Sequence, residues 1–244
     1  MMYEPRTYRR ISEPADLECF EVSVKETDLA ACATSDLSDL AEDLVVRARW
    51  EIESFIRAHP YFAETMRPID VPASAPATVR RMAEAAQFAR VGPMAAVAGA
   101  IAEYVARGLA EASREVIVEN GGDIYLIGEE DRVISLWAGE DGVRDIGLAV
   151  RGGLLPVAVC TSSGTVGHST SLGSADAVTV LARNGALADA VATALANRVH
   201  TPEDIERAIE AARHVHGVLG VLVTVEGHLG AWGNVRLVSL AEDD

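Results

Sequence analysis

The sequence contains little cysteine and no recognisable export or membrane signal. Its three cysteines, Cys19, Cys32 and Cys160, are an odd number and form no CxxC pair. This pattern predicts reduced thiols rather than a disulfide framework or a zinc site. The N-terminal residues include no apolar signal-peptide region, and charged residues interrupt every apolar stretch before it reaches membrane-spanning length. We therefore expect a soluble, cytoplasmic protein with no membrane partner.

Positive charge is scarce as well. The chain has 21 Lys and Arg residues against 37 Asp and Glu residues, which leaves a net charge of −16. Such a chain repels the phosphate backbone, so a nucleic-acid partner is disfavoured. The remaining composition, 49% hydrophobic and 24% charged over 244 residues, is that of a globular protein with one large domain or two small ones.

Several common catalytic motifs are also missing. The sequence contains no Walker loop, no GxGxxG and no GxSxG. A serine hydrolase using Ser162 or Ser163 is therefore the weakest of the function classes considered, because neither serine lies in a nucleophile elbow.

The elements that are present alternate between groups of strands and groups of helices. This order predicts an α+β fold with largely antiparallel sheet. Ser35 or Asp36 is a suitable cap for the first helix, and two glycines at 121–122 suit a two-residue hairpin. The predicted strands are 3–12, 18–25, 27–33, 115–118, 124–128, 132–137, 145–149, 157–160, 177–181, 220–225, 231–232 and 235–238, and the predicted helices are 36–59, 76–89, 93–109, 186–197 and 201–214, with a loop at 60–76.

A polar loop follows the apolar run Val157–Cys160 and reads TSSGTVGHSTSLGSAD. Its hydroxyls and backbone N–H groups suit an anion such as phosphate, although loops of this composition are also ordinary turns. The Asn120–Asp123 turn is explained equally well by hairpin formation and by ligand binding. We expect the loop, this turn and the N-terminal end of the helix that starts at Pro93 to converge on one pocket, with free N–H groups at that helix end for an anion.

An acid and a hydroxyl are spaced one turn apart in the apolar stretch ALADAVATALAN. Asp189 and Thr193 are four residues apart, so they share one face of a helix. Carboxylate and hydroxyl oxygens suit Mg²⁺, which prefers oxygen ligands and keeps some of its waters. The alternative is an exposed acid in the first turn that interacts favourably with the helix dipole, beside a neutral threonine.

Four tracts together resemble the ApbE superfamily, and more narrowly its uncharacterised cytoplasmic branch without a lipoprotein signal. The tracts are VGPMAAVAGAIAEY, ENGGDIYL, TSSGTVGHSTSLGSADAVTVLA and ALADAVATALAN, within residues 85–200. The resemblance implies a single ApbE-like domain over residues 1–244, in which 3–59 and 218–239 complete the sheets. The best-known members are FAD:protein FMN transferases, which use FAD and Mg²⁺ and attach FMN to a Thr or Ser of a target protein through a phosphodiester.

The resemblance assigns roles to particular residues of this chain. It implies metal ligation by Asp189 and Thr193. His168 resembles the family's histidine and could serve as acid or base, and a plain loop histidine explains it equally well. The resemblance implies cofactor binding by the turn and the start of the polar loop, namely Asn120, Gly121, Gly122, Asp123, Thr161, Ser162, Ser163, Gly164 and Thr165. The expected partners are a flavin (FAD or FMN) or nucleotide and a target protein, and a homodimer is left open.

Two departures from the family pattern bear on activity. The transferases carry Lys and Asp at the start of the helix equivalent to 93–109, where this chain has Gly92, Pro93 and Met94. Their longer insertion before the histidine is compressed to Thr165–Gly167. Two interpretations therefore stand beside each other: a Mg²⁺-dependent transferase that uses a flavin or nucleotide, and a binding protein that has kept the pocket and lost the transfer reaction.

Overall fold

The computed structural model describes residues 14–136, 146–163 and 175–240. Its centre is an eight-stranded sheet in which every neighbouring pair is antiparallel, and a three-stranded antiparallel sheet covers part of one face. The large sheet has the order β1 (Glu18–Val24), β2 (Thr27–Ala33), β3 (Val116–Asn120), β4 (Asp123–Ile127), β7 (Val157–Ser162), β8 (Ala177–Ala182), β9 (Val218–Val225) and β10 (His228–Gly233), and the small sheet has the order β11 (Leu237–Ser239), β6 (Ile146–Val150) and β5 (Arg132–Leu136).

Helices cover the other face of the large sheet, in the order of the strands beneath them. The helices are α1 (Ser38–Ala58), α2 (Tyr61–Glu64), α3 (Ala77–Ala89), α4 (Val97–Leu109), α5 (Gly185–Ala196) and α6 (Ile205–Arg213). α1 packs on β1, α4 on β3 and β4, α5 on β7 and β8, and α6 on β9 and β10, while α3 lies against α5. The α+β class and the antiparallel sheet predicted from the sequence are confirmed.

Strand alternation separates two cores. On β4, Tyr125 points to the helix side, whereas Ile124 and Leu126 join the cluster under the small sheet. On β7, Ala158 and Cys160 point to the helices, and Val157 and Val159 point away from them. Because successive side chains of a strand alternate between faces, Asp123 must lie on the helix side with Tyr125.

The predicted elements agree with the structure over most of the described residues, with three local corrections. Residues 60–76, predicted as a loop, contain the single turn α2. The Pro93 helix begins with a 3₁₀ turn, Pro93–Ala96, before α4. The N-cap of α1 is Leu37, without a side-chain cap, because the Asp36 carboxylate instead accepts the Ser38 N–H two residues away. The predicted strand at 3–12 lies outside the described residues.

The prediction of three reduced cysteines is wrong. Cys19 and Cys32 form a disulfide, while Cys160 is free and buried. The two bonded residues are register partners on β1 and β2, so the hairpin brings them face to face. Neither the odd count nor the spacing along the chain carries this information, because the pairing is created by strand register.

No single helix in the described ranges combines the length and apolarity needed to cross a membrane. Ala77–Ala89 and Pro93–Leu109 reach that length and apolarity only as a pair, and the pair is bent by 105°.

Candidate functional site at the crossing of α4 and α5

Two glycines allow α4 and α5 to cross at backbone contact. A methyl group added at Gly99 would lie 2.3 Å from the carbonyl oxygen of Gly185 and 2.8 Å from Cβ of Asp189. A methyl group at Gly185 would lie 2.3 Å from the carbonyl oxygen of Gly99. A side chain at either position would separate the helices. Glycine at both positions therefore allows α4 and α5 to approach this closely.

Each helix carries a buried carboxylate that binds the N-terminal end of the other. Asp189 Oδ2 accepts the Gly99 N–H at 2.9 Å. Glu103 Oε2 accepts the Gly185 N–H at 2.7 Å. The first N–H groups of a helix lack partners within the helix, so each carboxylate satisfies orphan donors of its neighbour. The expectation of free N–H groups at the start of α4 is therefore wrong at Gly99, because a residue 90 positions away along the chain occupies that donor.

Asp123 and Asp189 form a pair of buried acids on the helix side of the sheet. They are 7% and 9% exposed. Burial, followed by the charge of Asp189, raises the pKa of Asp123 well above its usual value. Burial raises the pKa of Asp189 to about 7, against the lowering effect of the Gly99 and Ala98 N–H groups. In the described ranges, no lysine or arginine forms an ion pair with either acid.

Cys160 lies on β7, next to the strand that carries Asp123 and facing the helix that carries Asp189. It is the register partner of Asp123, and its thiol hydrogen-bonds to the Asp123 carboxylate. Its Sγ also lies 3.7 Å from the carbonyl oxygen of Gly185. Burial and the two aspartates raise the pKa of Cys160, so the thiol stays protonated and acts as a weak donor rather than a nucleophile.

The hairpin between β3 and β4 lies at one end of the site, next to the start of α4. Gly121 and Gly122 adopt φ of 66° and 99°, the left-handed conformation that a two-residue hairpin needs. Glu119 Oε1 accepts the Gly122 N–H at 2.7 Å. Asn120 Nδ2 donates to the Ala98 carbonyl at 3.0 Å and so ties the hairpin to the start of α4. The hairpin, the end of β7 and the start of α4 therefore lie together.

Thr161 and Ser162 lie on opposite faces of the sheet. The Thr161 hydroxyl pairs with the Thr179 hydroxyl at 2.9 Å, on the face away from the helices. Its backbone N–H donates to the Gly122 carbonyl at 3.2 Å, so Thr161 reaches the hairpin through its main chain. Ser162, one position further, is buried and by strand alternation lies on the helix face.

Comparison with known proteins places the chain in a family. A family model described as AbpE bacteria matches residues 9–228. The chain is an ApbE-like protein. The UPF0280 protein of Methanocaldococcus jannaschii is 41% identical over 201 residues, which are 80% of this chain and 82% of that one. The UPF0280 protein of Methanosarcina acetivorans is 38% identical over 206 residues, or 84% and 81% of the two chains. The resemblance read from the four sequence tracts is confirmed.

Solved structures support the same fold. The flavin transferase ApbE from Vibrio cholerae superposes with a TM-score of 0.59 over 90% of this chain and 97% of that chain, at 13% identity. The ApbE protein from Thermotoga maritima superposes with a TM-score of 0.57 over 88% and 96%, at 15% identity. At such low identity the likeness establishes the fold of the ApbE-like chain and not its reaction.

The structure brings some of the predicted site residues of this ApbE-like protein together and leaves others apart. Asn120, Asp123, Ser162 and Asp189 share the helix face around the α4 and α5 crossing, with Gly121 and Gly122 at the adjoining hairpin tip. Ser163 follows at the end of β7, and Thr193 lies half-buried one turn beyond Asp189 on α5. Gly164, Thr165 and His168 lie outside the described residues.

Sequence reasoning missed Glu103 and Glu119. Glu103 is an acid in an otherwise apolar part of α4, four residues after Gly99, which is a pattern that marks a buried carboxylate. Glu119 precedes an ordinary hairpin, and nothing in the sequence indicates that its carboxylate accepts the Gly122 N–H. In the described part of the chain, no group of three or more His, Cys, Asp or Glu residues is placed to hold a metal ion, so any ion here depends on two carboxylates and on oxygens from other sources.

Proposed function

We propose that this ApbE-like protein is a Mg²⁺-dependent transferase that uses a flavin or nucleotide and acts by phosphoryl-type transfer. The observation that carries the proposal is the pair of buried acids on the helix side of the sheet, Asp123 and Asp189, in which the charge of Asp189 raises the pKa of Asp123. Two like charges in one buried position are costly unless a cation or a proton joins them. Perturbed acids of this kind concentrate at functional sites.

The donor set fits Mg²⁺ better than a softer metal. Mg²⁺ is usually held by one or two carboxylates, together with waters and the phosphates of a substrate. Asp123 and Asp189 supply the carboxylates, and the hydroxyl of Thr193 on the same helix is a further oxygen. The neighbouring Cys160 thiol stays protonated, which disfavours a thiolate-loving ion such as Zn²⁺. A bound Mg²⁺ would supply charge neutralisation for the phosphates of the ligand.

The other residues of the site bind and orient. Ser162 is the last residue of β7 and Ser163 follows it beside the hairpin, and their hydroxyls can donate to phosphate oxygens. Asp189 holds α4 through the Gly99 N–H, which fixes the carboxylate before a ligand arrives. Phosphoryl transfer depends mainly on positioning and charge neutralisation, so these roles suffice to organise the ligand. His168 stays the candidate acid or base. Gly164 and Thr165 stay candidate hydrogen-bond donors to the phosphate oxygens of the ligand.

A second function, flavin or nucleotide binding without transfer, has a specific observation in its favour. At the start of the Pro93 helix, Gly92, Pro93 and Met94 stand where the transferases carry Lys and Asp. In addition, the Gly99 N–H near the start of α4 is already occupied by Asp189. A pocket with fewer charged groups at that end can retain a ligand without stabilising a transition state.

Calorimetric titration with FAD, FMN and ATP, with and without Mg²⁺, tests the shared part of both functions. We expect saturable binding of at least one of them only with Mg²⁺, and loss of that binding in Asp123→Asn and Asp189→Asn. Asp43→Asn, an exposed acid on α1, is the matched control and should bind normally. Failure of all three ligands at saturating Mg²⁺ would refute the proposal.

Analysis of the products then separates the two functions. Transfer of FMN from FAD to a hydroxyl breaks the pyrophosphate bond and releases AMP. If FAD binds with Mg²⁺, and AMP and FMN-modified peptide accumulate together in the presence of peptides that contain Thr or Ser, the chain is a transferase. Intact FAD after prolonged incubation with such peptides would establish the binding function instead.

A further inference from the structure

A cavity of about 240 Å³ lies between the C-terminal end of α3, one side of α5 and the end of α6. Its floor is apolar and is formed by Val191, Leu195 and Val215 together with neighbouring alanines. Phe88, which is 50% exposed, adds an aromatic wall at the rim. The space suits an apolar group smaller than a typical drug-sized ligand.

The polar rim of this cavity is cationic. It consists of Arg90, Arg198 and His214, and none of the acidic residues that the structure describes lines the cavity. Among the described residues neither arginine forms an ion pair, and the nearby Glu210 is engaged by Arg213 at 3.3 Å and lies 3.7 Å from His214 Nδ1. Although the chain has a net charge of −16, the rim of this pocket therefore presents two arginines that no carboxylate of the described ranges pairs with.

This cavity is separate from the acidic site. Val191 and Ala194 follow Asp189 on α5 by two and five residues. At 3.6 residues per turn, these positions point roughly to the opposite side of the helix from Asp189. α5 therefore separates the buried acids, Asp123 and Asp189, from a pocket rimmed by arginines.

We infer that this cavity is a binding site for a small organic carboxylate with a short apolar body. The planar guanidinium groups of Arg90 and Arg198 match a carboxylate in charge and in hydrogen-bond geometry. The apolar floor takes the hydrocarbon part, and the cavity limits its length. This site is independent of the proposed transferase function, because it shares no residue with the acidic site.

Titration of the full chain with octanoate tests the inference, with acetate and 1-octanol as probes of the head group and the apolar body alone. We expect octanoate to bind saturably and each partial probe to bind at least about tenfold more weakly. Arg198→Gln and Arg90→Asn should each weaken octanoate binding by about tenfold, the loss expected for one charge-assisted contact. Asn is chosen at position 90 because the residue there has φ of 60°, which Asn tolerates.

Two controls make the test specific. Arg80→Gln removes an exposed arginine of α3 outside the cavity and should leave the octanoate affinity unchanged. Asp189→Asn should also bind octanoate normally, which separates this site from the acidic one. The inference is overturned if octanoate shows no saturable binding at millimolar concentration, if 1-octanol binds as well as octanoate, or if Arg80→Gln weakens binding as much as Arg198→Gln.

Discussion

Glu103 and Asp189 have the same structural task at the α4 and α5 crossing but have opposite electrostatic surroundings. Each is buried, and each accepts an N–H near the start of the other's helix. Glu103 also receives Arg81 at 3.1 Å and Arg107 at 2.8 Å. Asp189 receives no arginine or lysine in the described ranges and instead has the carboxylate of Asp123 as its charged neighbour.

The difference separates a structural acid from a candidate functional one. The charge of Glu103 is balanced within the chain, and Arg107 continues the network to the Tyr125 hydroxyl at 2.8 Å, which donates to the Arg183 carbonyl at 3.1 Å. The charge of Asp189 is unbalanced, so the folded chain stores an unfavourable interaction that a proton or a cation relieves. Burial alone does not distinguish the two acids, whereas their charged neighbours do.

Gly99→Ala should produce the largest effect, because it disturbs both carboxylates at once. The added methyl group would overlap the Gly185 carbonyl, which is backbone and cannot rotate away. We expect a loss of about 3 kcal/mol or more in the free energy of unfolding, measured by urea denaturation with the disulfide kept oxidised. The control is Gly153→Ala, where nothing lies within 4 Å of the new methyl group. Equal stability of the two variants would contradict the close crossing.

Glu103→Gln should be the next most damaging change. Gln keeps the size of the side chain and an acceptor for the Gly185 N–H, but it removes the charge that binds two arginines. We expect a loss of about 1 to 3 kcal/mol, the range for hydrogen bonds to a charged group. Thermal and urea unfolding measure this loss. An unchanged stability would mean that the arginines do not stabilise the charge of Glu103.

Without a divalent cation, Asp189→Asn should increase the free energy of unfolding, whereas the two preceding substitutions decrease it. An acid whose pKa is higher in the folded chain keeps its proton after the unfolded chain has lost it, so stability falls as pH rises from the usual 3.8 towards about 7 and then levels off. The slope from this group is at most about 1.4 kcal/mol per pH unit. The variant should show a shallower fall and should be more stable than wild type above neutral pH, where the wild-type carboxyl is ionised.

Mg²⁺ sharpens the same comparison. Because an ion would bind the ionised carboxylates, it should raise the melting temperature of wild type above neutral pH and leave Asp189→Asn unchanged. Glu103→Gln should keep the wild-type response to Mg²⁺. If wild type and Asp189→Asn showed the same dependence of stability on pH, ionisation of Asp189 would not destabilise the folded chain.

Arg81→Gln should have a smaller effect than loss of Glu103. The Arg81 side chain is 46% exposed, so water screens its interaction with Glu103. We expect a loss of about 0.5 to 1 kcal/mol by urea denaturation. Arg80→Gln, an exposed neighbour with no ion pair among the described residues, is the control for loss of a surface charge on α3.

Thr193→Val should have the smallest effect. Thr193 is half-buried and its hydroxyl is neutral, so the change should leave the unfolding free energy within about 0.5 kcal/mol of wild type. If Thr193 completes a Mg²⁺ site with Asp189, Mg²⁺-dependent ligand binding should weaken, but less than in Asp189→Asn. If calorimetry shows that Thr193→Val binds the ligand as tightly as wild type does, Thr193 is not part of the binding site.

Much of the architecture could be predicted from local patterns. The glycines at 121–122 predict a hairpin because only such residues readily adopt positive φ, and both do. The apolar helices and β-branched strands follow from their periodicity. The disulfide could not be predicted, because it depends on β1 and β2 pairing in a register that places Cys19 opposite Cys32.

By itself, the sequence determined the α+β class, the ApbE-like family and the short list of residues that includes Asp123, Asp189 and Thr193. Only the tertiary structure decided the surroundings of these acids. It placed Asp123 beside Asp189 from a distant strand, and it gave Asp189 the Gly99 N–H. Within the described residues, Glu103 pairs with arginines and neither aspartate does. The physical reason is that the cost of a buried charge depends on the groups around it in space, and those groups come from segments far apart in the chain.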